Sequence, residues 1–295
     1  MLAYYCVYIF LFLLILLALC CVYRKSGAGK KLIGPAYIVA LVFEIIAYIL
    51  DLANLIMTQC GIYNNHAYEA IYTTANILYN LGIWALLFVV LYTLNSMLRR
   101  QLGSPGRIVT GIPLAVCGIV LALTIVYLGL VSYTWLNRAY NYDISSDSLV
   151  HPTQRLVLAL RAIYLFSVML SFALSAMNIS ALRRARLPGG DLVGWVVVLH
   201  VCMFIWALLA VVWTGMSIFT YDWALEASLA VMYVTAFFRT ISFVVLLGIA
   251  KHVCWRNKVP AQQVYAPVMH RQGEHGYNGE EHNYYQAPPE IFHAK

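Results

Sequence analysis

Apolar residues run almost unbroken through seven stretches, near 3–23, 34–58, 68–97, 108–134, 156–182, 192–219 and 226–250, and polar residues gather in the short segments between them. Each stretch is about 20 residues or more, enough for a helix rising about 1.5 Å per residue to cross a hydrocarbon core of roughly 30 Å. The pattern predicts an all-α, polytopic membrane protein: a seven-transmembrane-helix bundle over residues 1–255. From 256 to 295 the apolar runs stop, and Pro, Gln, Gly, Tyr and His dominate. That composition reads as a disordered cytoplasmic tail.

The charges in the connecting segments fix an expected orientation. Arg24, Lys25, Lys30 and Lys31 follow the first run, Arg99, Arg100 and Arg107 the third, and Arg183, Arg184 and Arg186 the fifth. Lys251, Arg256 and Lys258 follow the seventh. The alternate segments are nearly bare of Lys and Arg, with only Arg138 and Arg155 in 135–155. Every basic cluster thus falls on one side, which the positive-inside bias assigns to the cytoplasm, with the N-terminus outside and the C-terminus cytoplasmic. No basic residue precedes the first run, so uncleaved insertion is expected rather than a signal peptide. The formal net charge of +7 would suit nucleic acid in a soluble protein. Here the bases flank apolar spans and serve topology and anionic lipids at the cytoplasmic face, so nucleic acid is not an expected partner. Only 11% of residues are charged, against about 25% in soluble domains, and no stretch is polar enough to form a separate soluble domain. Localisation follows as a multi-pass membrane protein, with plasma membrane and endomembrane not distinguished.

Polar residues inside the runs are the candidate chemistry, because a charge at bilayer depth costs several kcal/mol and usually faces a bundle interior. At 100° per residue Glu44, Tyr48 and Asp51 fall within about 60° of arc on the second run. Ser228, Thr235, Arg239 and Ser242 share a face of the seventh. Glu44 lies about 15 Å and Arg239 about 16 Å from the inner boundary at a rise of about 1.5 Å per residue. Opposite charges at one depth predict a Glu44–Arg239 pair, with Asp51 as a second partner about two turns outward. Thr73, Asn76 and Asn80, with Tyr79 beside them, face one way on the third run. The intramembrane polar cluster is therefore expected from Glu44, Tyr48, Asp51, Asn76, Asn80 and Arg239, in a ligand, transport or structural role. Tyr164, Ser167, Ser171, Ser175 and Asn178 form a stripe on the fifth run that reads as a helix-packing surface. Arg161 falls near the outer boundary, and His200 reads as a hydrogen-bonded core residue.

Other chemistries find little purchase. No set of His, Cys, Asp and Glu has metal-ligand spacing, and His270, His275, His282 and His293 in the tail are irregularly placed. No cofactor is implied, and no nucleophile–base arrangement stands out, which argues against an enzyme. Cys20, Cys21 and Cys254 sit beside basic residues at inner span ends, where palmitoylation and an inert buried thiol are both open readings. The outer segment 133–155 carries Trp135, Tyr140 and Tyr142, which suit anchoring at the lipid boundary or a lid over a binding mouth.

The seven-span, N-outside topology is that of heptahelical receptors, but their usual signatures are missing. The third run ends TLNSMLRRQ rather than in an acidic-Arg-Tyr motif, the seventh has no Asn-Pro-x-x-Tyr, and Cys60 has no cysteine partner in 133–155. A retinal protein would need a lysine midway along the seventh run, where there is none. FEIIAYILD, residues 43–51, resembles the Glu-x3-Tyr segment of fungal seven-span lipid-translocating exporters, with Glu44 and Tyr48 at the matching spacing. Asp51 stands where that family tends to have a basic residue, and the fourth run lacks the family's acidic, glycine-rich segment. The likeness covers fewer than ten residues, and membership is not claimed from it. Three functions remain open: a receptor-like or sensor protein binding a small-molecule or lipid ligand and meeting a cytoplasmic protein partner; a transporter or lipid-handling protein using Glu44, Asp51 and Arg239; and a structural membrane protein.

Overall fold

A computed structural model describes residues 1–25, 27–61, 65–102, 107–140, 147–184, 190–219, 225–252 and 255. The expected tail, 256–295, lies outside the described residues, as do 141–146 of the candidate lid. All regular structure among the described residues is helical. The helices are α1 (Leu2–Lys25), α2 (Pro35–Gln59), α3 (Asn65–Phe88), α4 (Asn95–Gln101), α5 (Arg107–Tyr140), α6 (Asp147–Arg184), α7 (Gly190–Phe219) and α8 (Leu225–Lys251). A π-helical turn, Val89–Leu94, joins α3 to α4 without a break, so the two form one span. A short 3₁₀ helix, Gly27–Lys31, follows α1.

Seven of these segments are long and apolar enough to cross a membrane. Their surface agrees with that reading. Phe10, Leu17, Phe166 and Met177 are each more than 60% exposed, while Glu44, Asn95, Ser171, Ser175, Arg239 and Ser242 are buried. Water would penalise both choices, whereas lipid outside a polar-cored bundle favours both. The chain is a multi-pass membrane protein whose apolar helices associate with a lipid bilayer.

Local sequence explains the element ends. Gly34 precedes Pro35 at the first turn of α2, where a missing N–H costs nothing. Gly61, at φ +68°, ends the same helix in the left-handed region. Neighbouring helices pack in sequence, and α1 also packs on α8, closing the ring. The span built from α3, the π turn and α4 is the most buried, packing against α2, α5 and α6. Gly82 lets α3 approach α2, its α-carbon facing the Ala40 carbonyl. Gly29 of the 3₁₀ helix lies directly against the Ala250 carbonyl at the end of α8, with no room for a β-carbon.

Candidate functional site

The buried charges meet between α2 and α8. Arg239 Nη1 lies 3.5 Å from Glu44 Oε1. Glu44 has no accessible surface and Arg239 is 2% exposed. The pair is loose: neither Glu44 oxygen and neither Nε nor Nη1 of Arg239 has a hydrogen-bond partner among the described residues. The third guanidinium nitrogen is held instead, with Nη2 donating to Tyr48 Oη at 2.6 Å. The guanidinium carbon also sits 4.5 Å from the Tyr79 ring centroid and 5.7 Å from that of Tyr48, in cation–π range.

Asp51 does not reach Arg239 within ion-pair distance. The expected second partnership is corrected: the guanidinium pairs with Glu44 and bonds Tyr48, and Asp51 lies about two turns beyond Glu44 along α2. Asp51 instead lines a cavity of about 430 Å³ that Arg239 also lines. Tyr4 and Tyr5 of α1, Tyr79 of α3 and Arg161 of α6 are among the residues of its polar wall. These positions lie early in α1, α3, α6 and α8 and late in α2, so the cavity sits at the end of the bundle that holds residue 1. Below the ion pair the bundle is filled by an aromatic layer. Phe12 lies 5.6 Å from both Tyr48 and Phe243, tilted to the first and edge-on to the second, and Tyr37 donates to the Phe243 carbonyl at 3.0 Å. The cavity therefore has a charged floor and a closed apolar base.

Asn76 lines the cavity, while Asn80 is set behind it. Asn80 Nδ2 donates back to Asn76, and its Oδ1 accepts from Arg161 Nη2 at 3.4 Å. Arg161 also lies over Tyr79, at 5.9 Å from the ring centroid, so two guanidiniums bear on one tyrosine. The structure thus gathers all six expected residues around one region and adds Arg161, Tyr79 and the α1 tyrosines. The sequence signal for Arg161 was its charge inside a hydrophobic helix. For Tyr4 and Tyr8 it was four-residue spacing on a stripe that continues through Phe12, Ile15 and Leu19, all buried.

A second polar group fills the other half of the bundle. Side chains bond to carbonyls of the π turn at Val89–Leu94. Asn95 Nδ2 donates to Leu91 O at 3.0 Å and Ser171 Oγ donates to Val90 O at 3.3 Å. Asn95 Oδ1 accepts from Ser175 Oγ and Asn178 Nδ2, each at 3.1 Å. His200 Nε2 reaches Ser171 Oγ at 3.1 Å, and its Nδ1 reaches the Val196 carbonyl at 2.8 Å. The α6 stripe is thus an interhelical hydrogen-bond surface. Among the described residues, no three His, Cys, Asp or Glu side chains converge as a metal site would require.

No family model, curated protein or solved structure matches this chain. The likeness of residues 43–51 to lipid-translocating exporters therefore rests on Glu44 and Tyr48 alone. The site is read from its own chemistry: a one-ended cavity, polar on its wall, with two cations, one carboxylate and a belt of tyrosines.

Proposed function

We propose that this chain is a receptor-like seven-helix membrane protein that binds a small ligand in the cavity bounded by Asp51, Arg161 and Arg239. The observation that carries the reading is that cavity of about 430 Å³, within the size range of small-molecule sites, closed beneath by packed aromatics. Under the positive-inside bias its mouth faces outside and the basic loops face the cytoplasm. There Arg99, Arg100, Arg183 and Arg184 meet anionic lipids and a cytoplasmic protein partner. A ligand at the Arg239 floor bears on α2, α3 and α8 at once, and so can change how those helices pack.

A second reading, a transporter, is favoured by the looseness of the Glu44–Arg239 pair. An ion pair at 3.5 Å without a hydrogen bond is easily exchanged for a partner of the substrate. One experiment separates the two. Purified protein in lipid nanodiscs is screened with a small-molecule library for thermal stabilisation, and each hit is retested on Ala210→Trp, which fills the cavity from α7. Receptor-like binding predicts hits that vanish in Ala210→Trp and do not cross proteoliposome membranes. Hits that keep stabilising Ala210→Trp overturn the cavity reading. Flux of a hit into protein-containing liposomes alone overturns the receptor reading in favour of transport.

A further inference from the structure

The charges on the cavity wall are separated rather than paired, and that separation defines a ligand class. Asp51 makes no hydrogen bond or ion pair among the described residues. Tyr4, Tyr5 and Tyr72 line the same cavity as Asp51. A carboxylate set among aromatic rings is the usual surrounding of a bound ammonium, which gains both ion pairing and cation–π attraction. The side of the cavity formed by α6 and α8 has the opposite character. Arg161 has no carboxylate within ion-pair distance among the described residues, and its one hydrogen-bond acceptor is the neutral Asn80 amide. Arg239 lines the same cavity, with Nε and Nη1 free of hydrogen bonds among the described residues and sealed from water, Nη1 toward Glu44. Two guanidiniums against one tyrosine ring are a receptor for a carboxylate or phosphate.

Resting on the ligand-binding reading above, we infer that the cavity takes a small zwitterion, its ammonium at Asp51 and the Tyr4–Tyr5–Tyr72 side and its carboxylate or phosphate at Arg161 and Arg239. A monoanion would leave Asp51 uncompensated, and a monocation would leave Arg161 so. Only a molecule bearing both charges relieves both, because each isolated charge in a poorly hydrated cavity costs free energy. Glu44 lies beneath Arg239 and is not on the wall, so it offsets part of that cation without meeting the ligand.

Two sources share this chemistry, free amino acids and zwitterionic lipid headgroups. The test uses wild-type protein in nanodiscs of phosphatidylglycerol, which carries no amine. The free L-amino acids, glycerophosphoethanolamine and glycerophosphocholine are titrated one at a time. The tightest binder is then compared with its analogue lacking the amine and its analogue lacking the acid. For L-phenylalanine these are 3-phenylpropionate and 2-phenylethylamine. The expected result is a zwitterion that binds about tenfold or more tighter than either analogue, and the headgroup or amino-acid arm names its source. Asp51→Asn then lowers the zwitterion to the affinity of the acid-only analogue, and Arg161→Gln lowers it to that of the amine-only one. Equal binding of a single-charge analogue to the wild type, or no binding of any zwitterion, overturns the inference without needing a variant to fold. If zwitterions fail while library hits still vanish in Ala210→Trp, the cavity reading stands and this inference falls. If hits persist in Ala210→Trp, the cavity reading itself has failed.

Discussion

Removing either half of the Glu44–Arg239 pair tests the bundle's centre, and the structure predicts unequal costs. Breaking a buried ion pair by deleting one partner typically costs about 3–5 kcal/mol, because the survivor is left charged and dry. The survivors differ here. After Glu44→Gln, Arg239 keeps its hydrogen bond to Tyr48, its contact with the Tyr79 ring and its place on the cavity wall. After Arg239→Gln, Glu44 keeps nothing: it has no accessible surface, accepts no hydrogen bond among the described residues and does not line the cavity. Arg239→Gln should therefore cost near the upper end of that range, and Glu44→Gln near or below its lower end, about 3 kcal/mol. Unit charges at this spacing attract by roughly 5 kcal/mol at an effective dielectric near 20, and desolvation of both groups cancels much of it. The double variant, with two neutral amides, should thus recover most of the loss.

The assay is thermal unfolding of the four proteins in one detergent, followed by intrinsic fluorescence. On the scale of soluble domains, these costs are a fall in Tm on the order of 10 °C for Arg239→Gln, and visibly less for Glu44→Gln. Glu44→Gln falling further than Arg239→Gln would refute the asymmetry. Singles that unfold with the wild type would refute the claim that the pair is electrostatically sealed. A double variant no better than the worse single would show that Arg239 acts through Tyr48 and Tyr79 rather than through Glu44.

Tyr79→Phe should unfold close to wild type and Tyr79→Leu clearly below it, by about 1–2 kcal/mol, because the ring and not the hydroxyl meets Arg161 and Arg239; equal losses in a melting comparison would contradict this. Asn95→Leu removes interhelical bonds to Ser171, Ser175 and Asn178. At about 0.6 kcal/mol for each such bond in a membrane, it should destabilise by roughly 2 kcal/mol, and unchanged urea or thermal midpoints would count against the network. Gly29→Ala drives a β-carbon into the Ala250 carbonyl, backbone against backbone, so about 1–3 kcal/mol of overpacking should appear as reduced abundance of folded protein by size-exclusion fluorescence. The nearby Gly27, at φ 51°, is a separate case of left-handed backbone, so the Gly29 variant reads close approach alone.

The spans and the central charges were legible in the sequence for different physical reasons. Seven runs could be counted because lipid leaves a helix no option but continuous apolarity, and polar breaks stand out against it. Glu44 and Arg239 could be matched because helix rise converts residue number into depth, and opposite charges at one depth have few other partners. That arithmetic gives depth and face but not lateral reach. Asp51 has the right face and still misses Arg239, because it lies about two turns beyond Glu44, the residue that pairs with that arginine, along α2. Arg161 was read near the outer boundary because its apolar run starts at 156; α6 begins earlier, at Asp147, and Arg161 lines the cavity. The α6 serines read as packing because small residues at four-residue spacing usually are. What changes their role is the π turn across from them. VVLYTL carries no sign of a π turn, whose Val90 and Leu91 carbonyls accept from Ser171 and Asn95. The two halves of the bundle thus use polarity oppositely. At the end without the cavity, donors and acceptors satisfy one another and lock the π turn and α4 to α6. At the end with residue 1, charges stand apart around open space, an arrangement a membrane interior tolerates when something polar arrives to complete it.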